Sequence, residues 1–274
     1  MSTVAGLLRL ARAQLDAVDA RLLLEHALER PHAWLAAHGE EEAGAEVETR
    51  FESLLARRVA GEPIAYILGR REFYGRDFML GPGVLIPRPE TELLLERGLA
   101  AIAGLQAPRL LELGCGSGCL AVSLALERPD AAVTAVDWAA AALECTRRNA
   151  ERLGARLELL ASDWFAALRG RSFELILSNP PYIAEGDTHL DQGDLRFEPR
   201  AALAAGADGL DAVRAIVAAA PGHLRPGGRL LVEHGYDQAP AVRVLLEQAG
   251  FREIEQWPDL AGILRVSGGR WYTA

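Results

Sequence analysis

Along residues 1–70 the apolar positions return at the spacing of one helix face. Leu7, Leu8, Leu15, Leu22, Leu23, Leu24, Ala27 and Leu28 carry this pattern. Pro31 suits the first turn of a new helix, and Gly39 ends that stretch. Val47, Phe51, Leu54, Leu55 and Val59 make a third run, closed by Gly61. No strand-like alternation interrupts these runs, so the spacing predicts a small helical bundle.

The character changes over residues 71–87. Aromatic and β-forming residues alternate with polar ones, and Gly75 and Gly81-Pro82-Gly83 supply turns, which predicts a β-hairpin linker. A helix follows from about Pro89. From residue 109 the pattern alternates between strand and helix. Strands are expected at Arg109–Leu113, Ala132–Val136, Leu157–Ala161, Phe173–Ser178 and Gly228–Glu233, with at least one more after Phe251. Helices fall between them, ending at Arg128 and covering Ala139–Leu153, Leu210–Ala220 and Gln238–Ala249. This alternation predicts an α/β fold, a largely parallel sheet with helices on both faces. Residues 180–208 have no periodicity, and so long an insert in a compact domain is a functional candidate.

Composition narrows the function. Of 274 residues, 50% are hydrophobic and 24% charged, as in a soluble globular chain. The net charge of −9 weighs against a general nucleic-acid binder, which needs clustered Lys and Arg. Three cysteines, Cys115, Cys119 and Cys145, fit no disulfide framework and point to a reducing compartment. Neither they nor the six histidines form a metal-ligand pattern, so no metal is expected. Arg9 and Arg12 interrupt the apolar N-terminus, Asp16 and Asp19 follow it, and no apolar run reaches the length of a membrane span.

The first chemical motif is Leu111-Glu112-Leu113-Gly114-Cys115-Gly116-Ser117-Gly118, placed where a strand ends and a helix opens. Glycines let the backbone approach a ligand closely, and a helix N-terminus offers free N–H groups. Asp137 lies about 19 residues beyond Gly118, at the end of the second strand. In nucleotide-binding α/β folds that spacing brings a carboxylate to ribose hydroxyls. A glycine turn alone is an ordinary tight turn; strand, helix and acidic residue together indicate a cofactor site. Cys119 breaks the dinucleotide fingerprint, and no phosphate-binding Lys motif is present. The pattern resembles the first motif of class I S-adenosylmethionine methyltransferases.

The second motif, Ser178-Asn179-Pro180-Pro181-Tyr182, closes the fourth strand of this region. Two prolines fix an extended course. The Asn179 side-chain oxygen and the Pro180 carbonyl can accept from the two hydrogens of a planar NH₂ group, with the Tyr182 ring packed over it. An amide nitrogen is a poor nucleophile, so catalysis needs orientation and stabilisation of the charge that develops on it. A sulfonium methyl is already a strong electrophile, and no nucleophilic residue is required. The motif specifies a planar NH₂, whether adenine, guanine, cytosine or glutamine.

Longer stretches resemble the bacterial release-factor glutamine N5-methyltransferases over nearly the whole chain. They include Glu62-Pro63-Ile64-Ala65-Tyr66-Ile67-Leu68-Gly69, Glu72-Phe73-Tyr74-Gly75 and Leu85-Ile86-Pro87-Arg88-Pro89-Glu90-Thr91-Glu92. Ser162-Asp163-Trp164-Phe165, Gln192-Gly193-Asp194-Leu195-Arg196-Phe197-Glu198-Pro199 and Glu233-His234-Gly235 extend the likeness. The resemblance implies a helical N-terminal domain (1–70), a hairpin linker (71–87) and a seven-stranded Rossmann-like methyltransferase domain (88–274). It implies S-adenosylmethionine held by Gly114, Cys115, Gly116, Ser117 and Gly118, with Asp137 on the ribose, Trp164 near the adenine and Asp163 towards its amino group. Asn179 would touch both methyl donor and substrate, and Asn179, Pro180, Pro181 and Tyr182 would hold the glutamine of the Gly-Gly-Gln motif of class-one release factors. The helical domain is the expected docking surface, and the enzyme is expected to be a cytoplasmic monomer without direct nucleic-acid contacts.

A nucleobase amino methyltransferase is the alternative, and a non-catalytic cofactor-binding protein a third reading. Arg88 and Glu90 are equally read as helix-start residues, and Arg196 and Glu198 as residues that shape the insert. One departure from the family pattern stands near the C-terminus, where Ile263 and Leu264 replace expected polar residues after Asp259-Leu260-Ala261-Gly262.

Overall fold

A computed structural model describes residues 2–272, which divide into two compact units meeting in sequence at Arg70 and Arg71. The first holds helices α1 (Val4–Arg12), α2 (Ala17–Leu28), α3 (His32–Ala37), α4 (Ala45–Val59) and α5 (Ile64–Leu68). Leu7, Leu23, Leu24, Phe51 and Leu55 form the middle of its core. Thr3 and Asp16 cap α1 and α2. The Thr3 hydroxyl accepts from Gly6 N at 3.1 Å, and the Asp16 carboxylate accepts from Val18 N and Asp19 N at 2.9 and 3.0 Å. The Arg58 guanidinium meets Asp19 at 2.6 Å and links α4 to α2.

The ribbon β1 (Arg70–Phe73) and β2 (Arg76–Met79) follows. Tyr74 and Gly75 turn it with φ of 51° and 71°, the pair of left-handed residues a tight hairpin requires. The ribbon stops at Met79 rather than running to residue 87. Gly81 and Pro82 come next, and proline brings no N–H to a ladder.

The remaining elements are α6 (Thr91–Ala101), β3 (Arg109–Leu113), α7 (Cys119–Glu127), β4 (Ala132–Asp137), α8 (Ala140–Leu153), β5 (Glu158–Ala161) and β6 (Phe173–Ser178), then α9 (Asp211–Ala219), β7 (Leu224–Glu233), α10 (Ala239–Gln248), β8 (Arg252–Pro258) and β9 (Leu264–Arg270). They build a seven-stranded sheet of order β5-β4-β3-β6-β7-β9-β8. The first five strands in that order are parallel, and β9 runs antiparallel to β7 and β8. Side chains alternate between two cores. Leu110, Leu175, Leu177 and Leu231 pack on one face, and Leu111, Leu113, Ile176, Leu230 and Val232 on the other. Burial on both faces explains the near-continuous apolar runs of β3 and β6.

β7 begins at Leu224, earlier than its sequence suggests. Pro226-Gly227-Gly228 reads as a loop, but Leu224 already pairs with Phe173 across a register shift. The 180–208 insert is neither long helix nor strand. It contains three short 3-10 turns, at Thr188–Asp191, Leu195–Phe197 and Arg200–Ala202.

Candidate active site

The connections leave β3 towards β4 and β5 on one side and β6 towards β7 on the other, so the strand order reverses between β3 and β6. Ligands of open α/β sheets bind outside the carboxyl ends at such a point. Leu113 is in register with Val136 and Ser178, and Ser178 with Val232, so four strand ends share one edge. A cleft of about 1010 Å³, counting the space open to solvent, lies there.

The glycine turn forms one wall. Gly114 N and Cys115 N donate to the Val136 carbonyl at 2.9 and 3.0 Å, which ties the turn to β4. Asp137 is buried and completes the clamp. Its Oδ2 accepts from Gly116 N at 3.0 Å and its Oδ1 from Ala139 N at 2.9 Å. Gly114, Cys115, Gly116 and Ser117 line the cleft with Asp137, whereas Gly118 does not. Gly118 has φ +79°, and a Cβ there would stand 2.6 Å from Thr146 Cγ2. Its glycine serves the packing of α7 against α8. Gly118→Ala is therefore expected to cost about 2–4 kcal/mol, from left-handed strain plus overpacking, read as a lowered Tm.

Glu112 points from β3 beneath the turn. Its Oε2 accepts from Ala121 N in α7 at 2.8 Å. Burial raises its carboxyl well above the usual range and the Asp137 charge adds to this, while the Ala121 hydrogen bond opposes it. Two thiols also face the cleft, Cys115 and Cys119. Burial pushes both upward, and the charge of Glu112 adds to the shift.

Trp164 also lines the cleft, with φ +43°, a strained conformation for a bulky side chain. The turn is held by the Ser162 hydroxyl, which donates to the Trp164 carbonyl at 2.8 Å and accepts from Ala167 N at 3.0 Å. Asp163 does not line the cleft, although its neighbours Ser162 and Trp164 do. Trp138, next to Asp137, is 68% exposed at the cleft and was not among the residues expected from the sequence. An aromatic residue directly after the acidic strand end was the signal available for it.

Asn179, Pro180 and Pro181 separate this cleft from a second one of about 540 Å³, and line both. Tyr182 lines only the second. Asn179 Nδ2 donates to the Thr91 hydroxyl at 3.0 Å, so Oδ1 is the atom left to receive a donor. Thr91 donates to Glu233 Oε2 at 2.7 Å, and the Tyr182 hydroxyl donates to Glu233 Oε1 at 3.4 Å. Burial pushes the Glu233 carboxyl up to about 7, against the pull of the Thr91 hydrogen bond.

The insert supplies a further wall through Pro199, Ala201 and Ala202. Its Glu198 is buried, accepting from Ile86 N at 2.9 Å and pairing with the Arg88 guanidinium. Glu198 thus fixes the insert to residues 86–88, and Arg88 itself lines both clefts. Arg88 is more than a helix-start residue.

Residues 89–197 match the Methyltransferase small domain family, and residues 5–69 match the PrmC N-terminal domain. The release factor glutamine methyltransferase of Bordetella pertussis is 55% identical over 95% of this chain and 97% of its own length. That of Escherichia coli is 44% identical over 93% and 92%. Among solved structures, a Thermus thermophilus 16S rRNA methyltransferase in complex with AdoMet and guanosine shares the fold. It has a TM-score of 0.54 and 23% identity, and the match covers 73% of this chain and 49% of that one. Identity at this level, spread over both units and nearly the full length, means that the chain belongs to the release factor glutamine methyltransferase family.

Proposed function

We propose that the chain transfers a methyl group from S-adenosylmethionine to the side-chain amide nitrogen of the glutamine in the Gly-Gly-Gln motif of class-one release factors. The observation that carries this reading is the place of Asn179 and Pro180 in the wall shared by two clefts, one lined by the glycine turn and Asp137.

The residues of the larger cleft fit a cationic nucleoside. The buried Glu112 carboxylate is short of compensating positive charge, and a cation beside it would favour its ionised form. Asp137 presents carboxylate oxygens at the end of β4, where ribose hydroxyls can donate to them. A Cβ at Gly114 would stand 3.7 Å from the Trp164 ring, so a side chain there would narrow the space beside that ring. When bound, S-adenosylmethionine supplies an electrophilic methyl group on a sulfonium.

The protein's own contribution is orientation. Asn179 Oδ1 and the Pro180 carbonyl accept from the two amide hydrogens and hold the nitrogen at the partition between the clefts. Both dipoles place negative ends where positive charge develops on that nitrogen. Arg88, Leu85 and Ala202 narrow the opening around it and limit water. The helical unit provides a further surface for a protein-sized substrate. The enzyme is read as a cytoplasmic monomer, and among the described residues no helix is long and apolar enough to cross a membrane.

The test is transfer of labelled methyl to purified release factor, to its Gly-Gly-Gln→Gly-Gly-Ala variant and to DNA. Label on the wild-type factor alone is expected. Label on DNA, or equally on both factor proteins, would overturn the proposal.

A further inference from the structure

We infer that Glu233, acting through Thr91, decides which end of the Asn179 side-chain amide faces the substrate, and is a positioning residue for methyl transfer. The inference rests on the reading that Asn179 Oδ1 accepts from the substrate amide.

The relay runs through three elements. Asn179 follows β6, Thr91 opens α6 and Glu233 ends β7. Thr91 and Glu233 are 3% and 1% exposed, so water does not substitute freely for either partner. An ionised carboxylate can only accept hydrogen bonds. The single Thr91 hydroxyl hydrogen must then go to Glu233, 2.7 Å away. Thr91 keeps only lone pairs for its other neighbour, and these take the Asn179 NH₂ at 3.0 Å. The amide is thereby polarised, nitrogen inward and Oδ1 towards the cleft. The Tyr182 hydroxyl donates to the other Glu233 oxygen and ties the same carboxylate to the motif residue that borders the second cleft.

A protonated Glu233 has a hydrogen of its own to give. Thr91 can then accept from Glu233 and donate to Asn179 Oδ1, turning the amide over. Its NH₂ would then face the substrate NH₂, donor against donor. Proton uptake at a site away from the reacting atoms thus reverses the polarity of the grip.

The groups around Glu233 set where this happens. Glu90, preceding α6, raises its affinity for a proton, while Arg265 on β9 and the Tyr182 hydroxyl lower it. Arg265 is shared with Asp259, which it meets at 3.2 Å. The Cys119 thiol on α7 also feels the Glu233 charge and, pushed up by burial, stays neutral. Burial dominates, and the Glu233 carboxyl is pushed up to about 7.

The test measures kcat against pH for the full chain with release factor as methyl acceptor. Wild type, Glu233→Gln, Thr91→Ser and Thr91→Val are compared, with cofactor affinity and Tm of each as controls for folding. In wild type, kcat is expected to fall about tenfold per pH unit below the Glu233 titration. Glu233→Gln should be flat through that window, because its side chain takes up no proton there. Thr91→Ser should keep the acid limb. Thr91→Val has nearly the same shape but no hydroxyl, and should lose about 10²-fold in kcat with cofactor affinity held. A wild-type kcat that is flat on the acid side of neutrality overturns the inference without any variant. An acid limb that survives in Glu233→Gln, or a Thr91→Val enzyme with wild-type kcat, overturns it as well. If wild type methylates no release factor, the proposed function fails and this inference falls with it; if transfer is intact and only the profile is unmoved, Glu233 alone is wrong.

Discussion

Asn179→Ala is expected to lower kcat by about 10²–10³-fold while changing cofactor affinity by tenfold or less, about 1.4 kcal/mol. The substitution removes one of two acceptors aimed at the amide hydrogens and leaves the glycine turn and the Asp137 clamp untouched. The loss falls on the chemical step because Oδ1 meets the most positive charge after bond formation to the nitrogen has begun. Thr91 keeps its bond to Glu233, so the fold around the site should persist. Stopped-assay kinetics paired with calorimetry of cofactor binding decide it. A variant with wild-type kcat would mean that the amide is gripped elsewhere.

Asp137→Ala is expected to weaken cofactor binding by about 10²-fold, near 2.7 kcal/mol. Two contributions combine. The ribose loses its carboxylate acceptor, and the N–H groups of Gly116 and Ala139 lose the oxygens that hold them at 3.0 and 2.9 Å. Asp137→Asn should not restore affinity fully, because one of these two N–H groups would face an NH₂ group in place of an oxygen. Calorimetry gives the answer directly, and unchanged affinity in the alanine variant would take Asp137 out of the ribose role.

The parts of the site legible in the sequence are those made within a few residues of each other. The glycine turn, Asp137 at its strand end and the Asn179–Tyr182 run each announce themselves because one strand end determines where their atoms point. The relay was not legible. Thr91 and Glu233 lie 142 residues apart, and each reads alone as a helix-start residue and a strand end. The Glu198 clamp spans 110 residues to Arg88 and was read only as local shaping of the insert. Gly118 belongs to the motif by its letters, yet its reason lies in Thr146 on another helix. The apolar departure near the C-terminus lies at the tip between β8 and β9. Asp259 Oδ1 accepts from Ala261 N and Ile263 N and caps the tip between β8 and β9, leaving Leu260 and Ile263 exposed. Leu264 is drawn into the strand, opposite Pro258.

The two thiols of the larger cleft bear on the enzyme's own survival. Under the proposed function they stand at the binding site of an alkylating agent, and sulfur is the strongest nucleophile a side chain offers. Only the thiolate attacks. Burial keeps Cys115 and Cys119 protonated at neutral pH, and any negative charge on Glu112 adds to this. The same burial that sets the cleft walls apart from water therefore quenches the sulfurs within it. A thiolate in either place would be a substrate for the methyl donor, spending turnovers on irreversible self-alkylation.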